Sequence, residues 1–77
     1  MSGLPGDQRA TQTILVNGRA RPVPPDGTLA AVLVEAGLDG RPVAIEVDGR
    51  VVPRSRFAES SLTGGERIEI VTFVGGG

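Results

Sequence analysis

Two Asx-Gly dipeptides, Asn17-Gly18 and Asp48-Gly49, each stand between short runs of β-forming residues, and no other feature restricts the fold as strongly. A two-residue type I′ turn needs positive φ at both central positions, and Asn or Asp followed by Gly meets that need at little steric cost. Each dipeptide therefore predicts a hairpin. The first joins Thr13-Ile14-Leu15-Val16 to Arg19-Ala20-Arg21. Pro22, Pro24 and Pro25 have no N–H to give to a ladder, so the second strand is expected at a sheet edge and to end soon after Arg21. In the second hairpin Val43, Ile45 and Val47 alternate with Ala44 and Glu46 before the turn leads into Arg50-Val51-Val52, which Pro53 ends.

Between the hairpins lies a different period. After an Asp26-Gly27 turn, Thr28 is placed to cap a helix whose apolar residues Leu29, Val32, Leu33 and Ala36 recur at i, i+3, i+4 and i+7. Gly37 suits the left-handed residue that closes many helices, and Leu38 can fold back as the apolar contact of a Schellman motif. Arg54 to Leu62 is too irregular for a strand and is expected to form a turn or short helical piece that drops Phe57 and Leu62 into the core. Thr63-Gly64-Gly65-Glu66 makes the last turn before a closing strand, Arg67 to Val74. On that strand Ile68 and Ile70 share one face, expected in the core, while Val71 and Phe73 share the other, expected to be exposed and to dock partners.

The predicted order, two strands, a helix and three strands, indicates the α+β class. A mixed five-stranded sheet with the last strand beside and parallel to the first, and one main helix packed across a face, satisfies the connection rules. That is the β-grasp arrangement, as in ubiquitin. The β-grasp domain is expected over residues 13–74, after a disordered leader over 1–12 that is either native or a cloning remnant, and before a flexible glycine tail over 75–77.

A chain of 77 residues allows one small core and little room for a catalytic cleft. Its chemistry is narrower still, because Cys, His, Lys, Tyr and Trp are all absent and every one of the eight basic residues is Arg. The sequence thus offers no proton shuttle near neutrality, no thiol nucleophile or thiolate ligand, and no base for Ser55, Ser60 or Ser61. The expectation is a protein that is not an enzyme and binds no metal or cofactor of its own. A net charge of −1 with dispersed arginines gives no field for nucleic acid. The longest apolar run, Leu29 to Val34, is far short of the ~18 residues that suggest a membrane span, and no signal-peptide core precedes it. A cytoplasmic protein is expected. What the chain can present is its end: Gly75, Gly76 and Gly77 carry no side chains and lead to a carboxylate able to enter a narrow slot.

Two segments together carry a resemblance. Val43-Ala44-Ile45-Glu46-Val47-Asp48-Gly49-Arg50-Val51-Val52-Pro53-Arg54 and Gly65-Glu66-Arg67-Ile68-Glu69-Ile70-Val71-Thr72-Phe73-Val74-Gly75-Gly76-Gly77 resemble the ThiS family, the sulfur carriers of thiamine biosynthesis. The likeness covers roughly Thr13 to Gly77 and departs from the family in its preceding residues and in Glu66, where an Asp is common. It implies that Gly77 is adenylated by an ATP-dependent, ThiF-like enzyme and converted to a thiocarboxylate. A donor such as a cysteine desulfurase supplies the sulfur, which passes to a ThiG-like thiazole synthase. ATP is then the partner's ligand, in keeping with a chain that lacks both a Gly-x-x-x-x-Gly-Lys-[Ser/Thr] loop and any Lys. By the same reading Gly75 and Gly76 thread into partner sites, and Val71 and Phe73 dock.

Related readings stay open on the residues alone. A molybdopterin-synthase small subunit shares the fold and the terminal glycines, as does a carrier for another sulfur metabolite. A ubiquitin-like interaction module would keep the fold with Gly77 chemically silent. The Asx-Gly turns and the helix are structural under every reading, and the arginines form a solvated surface from which Arg54 and Arg56 could meet an acidic partner.

Overall fold

The computed structural model describes residues 12–73, so most of the expected leader and the whole of Val74 to Gly77 lie outside the described residues. Five strands form one sheet: β1 Thr13–Val16, β2 Arg19–Pro22, β3 Val43–Val47, β4 Arg50–Val52 and β5 Arg67–Thr72. Their order across the sheet is β2-β1-β5-β3-β4. β5 pairs parallel with β1 and antiparallel with β3, while the two hairpins flank it. This is the expected ubiquitin-like β-grasp arrangement, with the last strand central and the Pro-bearing β2 at an edge.

Both hairpin turns take the predicted geometry, with φ of 51° and 85° at Asn17 and Gly18 and of 51° and 84° at Asp48 and Gly49. The single α-helix, α1, spans Leu29–Glu35. The Thr28 hydroxyl accepts the Ala31 N–H at 3.2 Å. The two N–H groups before it are taken by the loop after β4, Leu29 donating to the Ser60 carbonyl and Ala30 to that of Phe57. The usual unsatisfied donors of a helix start are thus closed within the fold. At the other end Leu38 donates to the Leu33 carbonyl at 2.8 Å and Gly37 to that of Val34 at 3.1 Å, the bond pattern of a Schellman motif.

α1 buries Leu29, Val32 and Leu33 against Ile14, Val16, Ile45, Ile68 and Ile70 of the sheet. The 54–62 segment contributes as expected: a 3₁₀ turn at Arg54–Arg56 precedes Phe57, and both Phe57 and Leu62 are buried. Arg54 and Arg56 are engaged within the chain. The Arg54 guanidinium donates to the Arg41 carbonyl at 2.7 Å, and Arg56 lies 3.9 Å from Glu59 in an exposed ion pair.

Two boundaries differ from the sequence reading. β5 is assigned only to Thr72, although the Phe73 N–H still donates to the Pro42 carbonyl at 3.2 Å. Gln12, at the end of the expected leader, accepts the Val23 N–H at 3.1 Å and so closes the mouth of the first hairpin. No helix among the described residues is long and apolar enough to cross a membrane.

Candidate functional site

The site is built on β5, the central strand of the sheet and the last one before the chain's final residues. Its alternation divides cleanly: Ile68 and Ile70 are 0% and 8% exposed beneath α1, whereas Val71 and Phe73 are 56% and 58% exposed on the opposite face. The two residues expected to dock a partner are therefore on the face that α1 leaves open. Val51 joins them there, since Glu46 pairs with Val51 on β4 and with Glu69 on β5 in adjacent registers. Ala44 stands opposite Val71, so an apolar strip runs toward the end of β5.

Beside this strip the same face is charged. Glu46 and Glu69 stand directly opposite each other. Neither belongs to an ion pair among the described residues. They line a shallow hollow with Leu15, Asp48, Gly49, Gly65 and Arg67. Asp48 fixes the start of β5 by accepting the Arg67 N–H on Oδ1 at 2.9 Å and donating its own N–H to the Arg67 carbonyl at 2.8 Å.

Two side chains set the path of β5. β1 ends where Asn17 turns the chain, and there the Asn17 amide takes over the ladder: the Ile70 N–H donates to its Oδ1 at 2.7 Å, and its Nδ2 donates to the Ile70 carbonyl at 3.1 Å. At the other end Glu66 folds back over its turn. Its carboxylate accepts the Thr63 N–H at 2.9 Å, the Thr63 hydroxyl at 3.2 Å and the Gly64 N–H at 2.8 Å. Burial works against the charged form of Glu66, but the N–H groups of Thr63, Gly64 and Glu66 itself and the Thr63 hydroxyl outweigh it, so its pKa lies below the ordinary 4.5.

Gly75, Gly76 and Gly77 lie outside the described residues. The described part contains the strand that precedes them in sequence and the exposed pair Val71 and Phe73. Sequence reasoning missed the second role of Asn17 and the facing of Glu46 and Glu69. The alternation of each strand puts both carboxylates on an outward face, but only the register sets them opposite. Among the described residues no group of three or more His, Cys, Asp or Glu is arranged to hold a metal ion.

Comparison with known proteins bears on this geometry. The model of the ThiS family matches residues 14–77. A thiazole synthase from Paramagnetospirillum magneticum is 39% identical over 64 residues, a match that takes in 83% of this chain and 20% of that protein. The chain thus spans about one fifth of the length of that curated relative. Among solved structures, the thiamine biosynthesis protein ThiS from Geobacter metallireducens superposes with a TM-score of 0.67 at 25% identity, over 84% of this chain and 99% of that one. With the mixed five-stranded sheet, the central closing strand and the family match running from Ile14 to the last glycine, this chain belongs to the ThiS family.

Proposed function

We propose that the chain is a sulfur carrier for assembly of the thiazole ring of thiamine, and that its working group is the carboxylate of Gly77. The observation that carries this reading is the family match, which includes the glycine tail as well as the folded domain. A carboxylate resists attack by sulfur because its oxygen is a poor leaving group. Adenylation by an ATP-using, ThiF-like partner corrects that: the Gly77 oxygen attacks the α-phosphorus of ATP, pyrophosphate leaves, and the acyl carbon now carries AMP. A sulfur nucleophile such as hydrosulfide then adds to that carbon and AMP departs, leaving a thiocarboxylate. In the cell a donor such as a cysteine desulfurase supplies the sulfur as a persulfide, which a thiol reductant releases as hydrosulfide while being oxidised to a disulfide, in the cytoplasm where ATP is at hand.

The chain acts in this scheme as co-substrate rather than enzyme, and ATP binds to the partner. Gly75 and Gly76 keep the tail narrow enough to thread into the partner's site, while Val71 and Phe73 supply apolar contact beside it. That a stretch of a protein named thiazole synthase resembles this chain supports a ThiG-like thiazole synthase as the acceptor.

The test is intact-mass spectrometry of the full chain incubated with a ThiF-like enzyme, ATP and sulfide. The expected product is heavier by the difference between sulfur and oxygen, and the gain is lost on addition of a thiazole synthase with its substrates. An unchanged mass with a competent enzyme counts against the carrier reading.

A further inference from the structure

β5 is a central strand only as far as Ile70. On the β3 side its hydrogen bonding continues to the bond from Phe73 to Pro42, which assigns the odd-numbered peptide groups to β3. The even-numbered groups face β1. There the Ile68 carbonyl accepts the Asn17 N–H at 2.8 Å, and Ile70 has both its groups taken by the Asn17 side chain. The next even-numbered residue is Thr72. β1 has already turned away, the pairing with β1 stops at Ile68, and the N–H and carbonyl of Thr72 meet no partner among the described residues. The strand that leads to the tail thus becomes a one-sided edge immediately past Asn17.

We propose that this free edge at Thr72 is a strand-addition site, taken up by an extended segment of the enzyme that adenylates the tail. The proposal rests on the carrier reading and names how the partner grips the strand and its glycine tail. Three successive glycines offer a partner only peptide groups and the Gly77 carboxylate, so an enzyme that recognises Gly75 to Gly77 must do so largely through main-chain hydrogen bonds. An extended main chain is recognised most directly by a paired strand, and an exposed edge is the template for one. Thr72 is the first position at which such pairing can begin, and it adjoins the exposed side chains of Val71 and Phe73. Asn17 completes the device by closing the Ile70 edge, so a partner strand has a defined starting point.

The experiment uses the full chain assembled by peptide ligation with an N-methyl group on the Thr72 nitrogen. This removes the donor and puts a methyl where a partner strand would lie, with all side chains retained. A second chain is N-methylated at Phe73, where the nitrogen already serves the sheet. Affinity for a ThiF-like enzyme is read by calorimetry, stability by thermal melting, self-association by sedimentation, and carrier activity by intact mass. The expected result is a melting temperature like the parent's and an affinity lower by about tenfold or more for the Thr72 variant, with a lowered melting temperature for the Phe73 variant. Parent-like affinity of the Thr72 variant overturns the proposal, as does destabilisation equal to that of the Phe73 variant, which would mean that the edge is already used within the domain. Loss of self-association with unchanged enzyme affinity would give the edge to a second copy and also overturn it. Failure of the carrier reading looks different: binding depends on the Thr72 N–H, yet no chain gains mass.

Discussion

The side-chain amide of Asn17 bonds both the N–H and the carbonyl of Ile70, 53 residues further along the chain. It does so from the first central position of the β1–β2 turn, where its φ is 51°. One residue therefore turns the first hairpin and stands in for the strand that the turn takes away from β5. Asn17→Gly separates the two roles, because glycine accepts the same φ without strain and loses only the amide. Two partly buried hydrogen bonds at roughly 1 kcal/mol each predict a loss of about 2 kcal/mol, read as a lower denaturant midpoint at unchanged slope. A loss under about 0.5 kcal/mol would show that water replaces the amide at Ile70 without penalty.

Asn17 also marks the limit of what the sequence makes legible. Turn, capping and alternation rules are local, so both hairpins, the Thr28 cap, the Gly37–Leu38 ending and the division of β5 into buried Ile68 and Ile70 and exposed Val71 and Phe73 could be read without coordinates. The topology followed because few connections of those elements obey the crossover rules. What could not be read depends on register or on side chains reaching distant backbone: the amide of Asn17 on Ile70, the carbonyls of Phe57 and Ser60 over the start of α1, and Glu46 opposite Glu69. Glu66 lay between, since Thr63-Gly64-Gly65-Glu66 indicated a turn but not that the carboxylate would bind its donors.

Glu46 and Glu69 form a like-charged pair across two central strands with no ion-pair partner among the described residues. Like charges directly opposite in a sheet destabilise it. Glu69→Gln is accordingly expected to stabilise the free domain by a few tenths of a kcal/mol to about 1 kcal/mol at low salt. The gain should shrink in molar salt, where screening acts over only about 3 Å. A gain that persists at high salt would have a cause other than charge repulsion.

Glu66 gives the domain a pH dependence of definite sign. Its folded-state pKa is depressed, so its contribution is fully present above the unfolded value near 4.5 and is lost as pH falls through the lower folded value. Because Glu66 is only partly buried and water competes for its carboxylate, the contribution is about 1 kcal/mol at most. Glu66→Gln should lower stability by about that amount at neutral pH and converge with the parent as the carboxylate protonates in acid. Parallel stability curves from neutral pH down to about pH 3 would remove Glu66 from the acid transition.

Gly76→Val tests the tail apart from the fold. A branched side chain both widens an extended segment and restricts its backbone, and misplacing a reacting carboxylate by ~1 Å can cost about a hundredfold in rate. The expected outcome is ATP–pyrophosphate exchange by the adenylating enzyme reduced about a hundredfold, with a thermal melt like the parent's. Normal exchange in the variant would show that the enzyme's channel does not need a bare tail.

The two faces of β5 should respond in opposite ways to truncation. Ile70 is 8% exposed within the core, so Ile70→Ala removes buried contacts and leaves a cavity, with an expected loss of about 2–5 kcal/mol. Phe73, three residues on and 58% exposed, is tied to the sheet by its N–H bond to the Pro42 carbonyl, and Phe73→Ala keeps that bond. The expected change in stability is within about 0.5 kcal/mol. Against the adenylating enzyme the prediction is a loss of roughly 1–2 kcal/mol of binding, about five- to thirtyfold in Kd, because an exposed aromatic beside a recognised tail is the type of side chain that anchors an interface. Denaturant unfolding and calorimetric titration of the same variant give both numbers. Unfolding without loss of affinity would reverse the face assignment, and a variant equal to the parent in both would remove Phe73 from the docking surface.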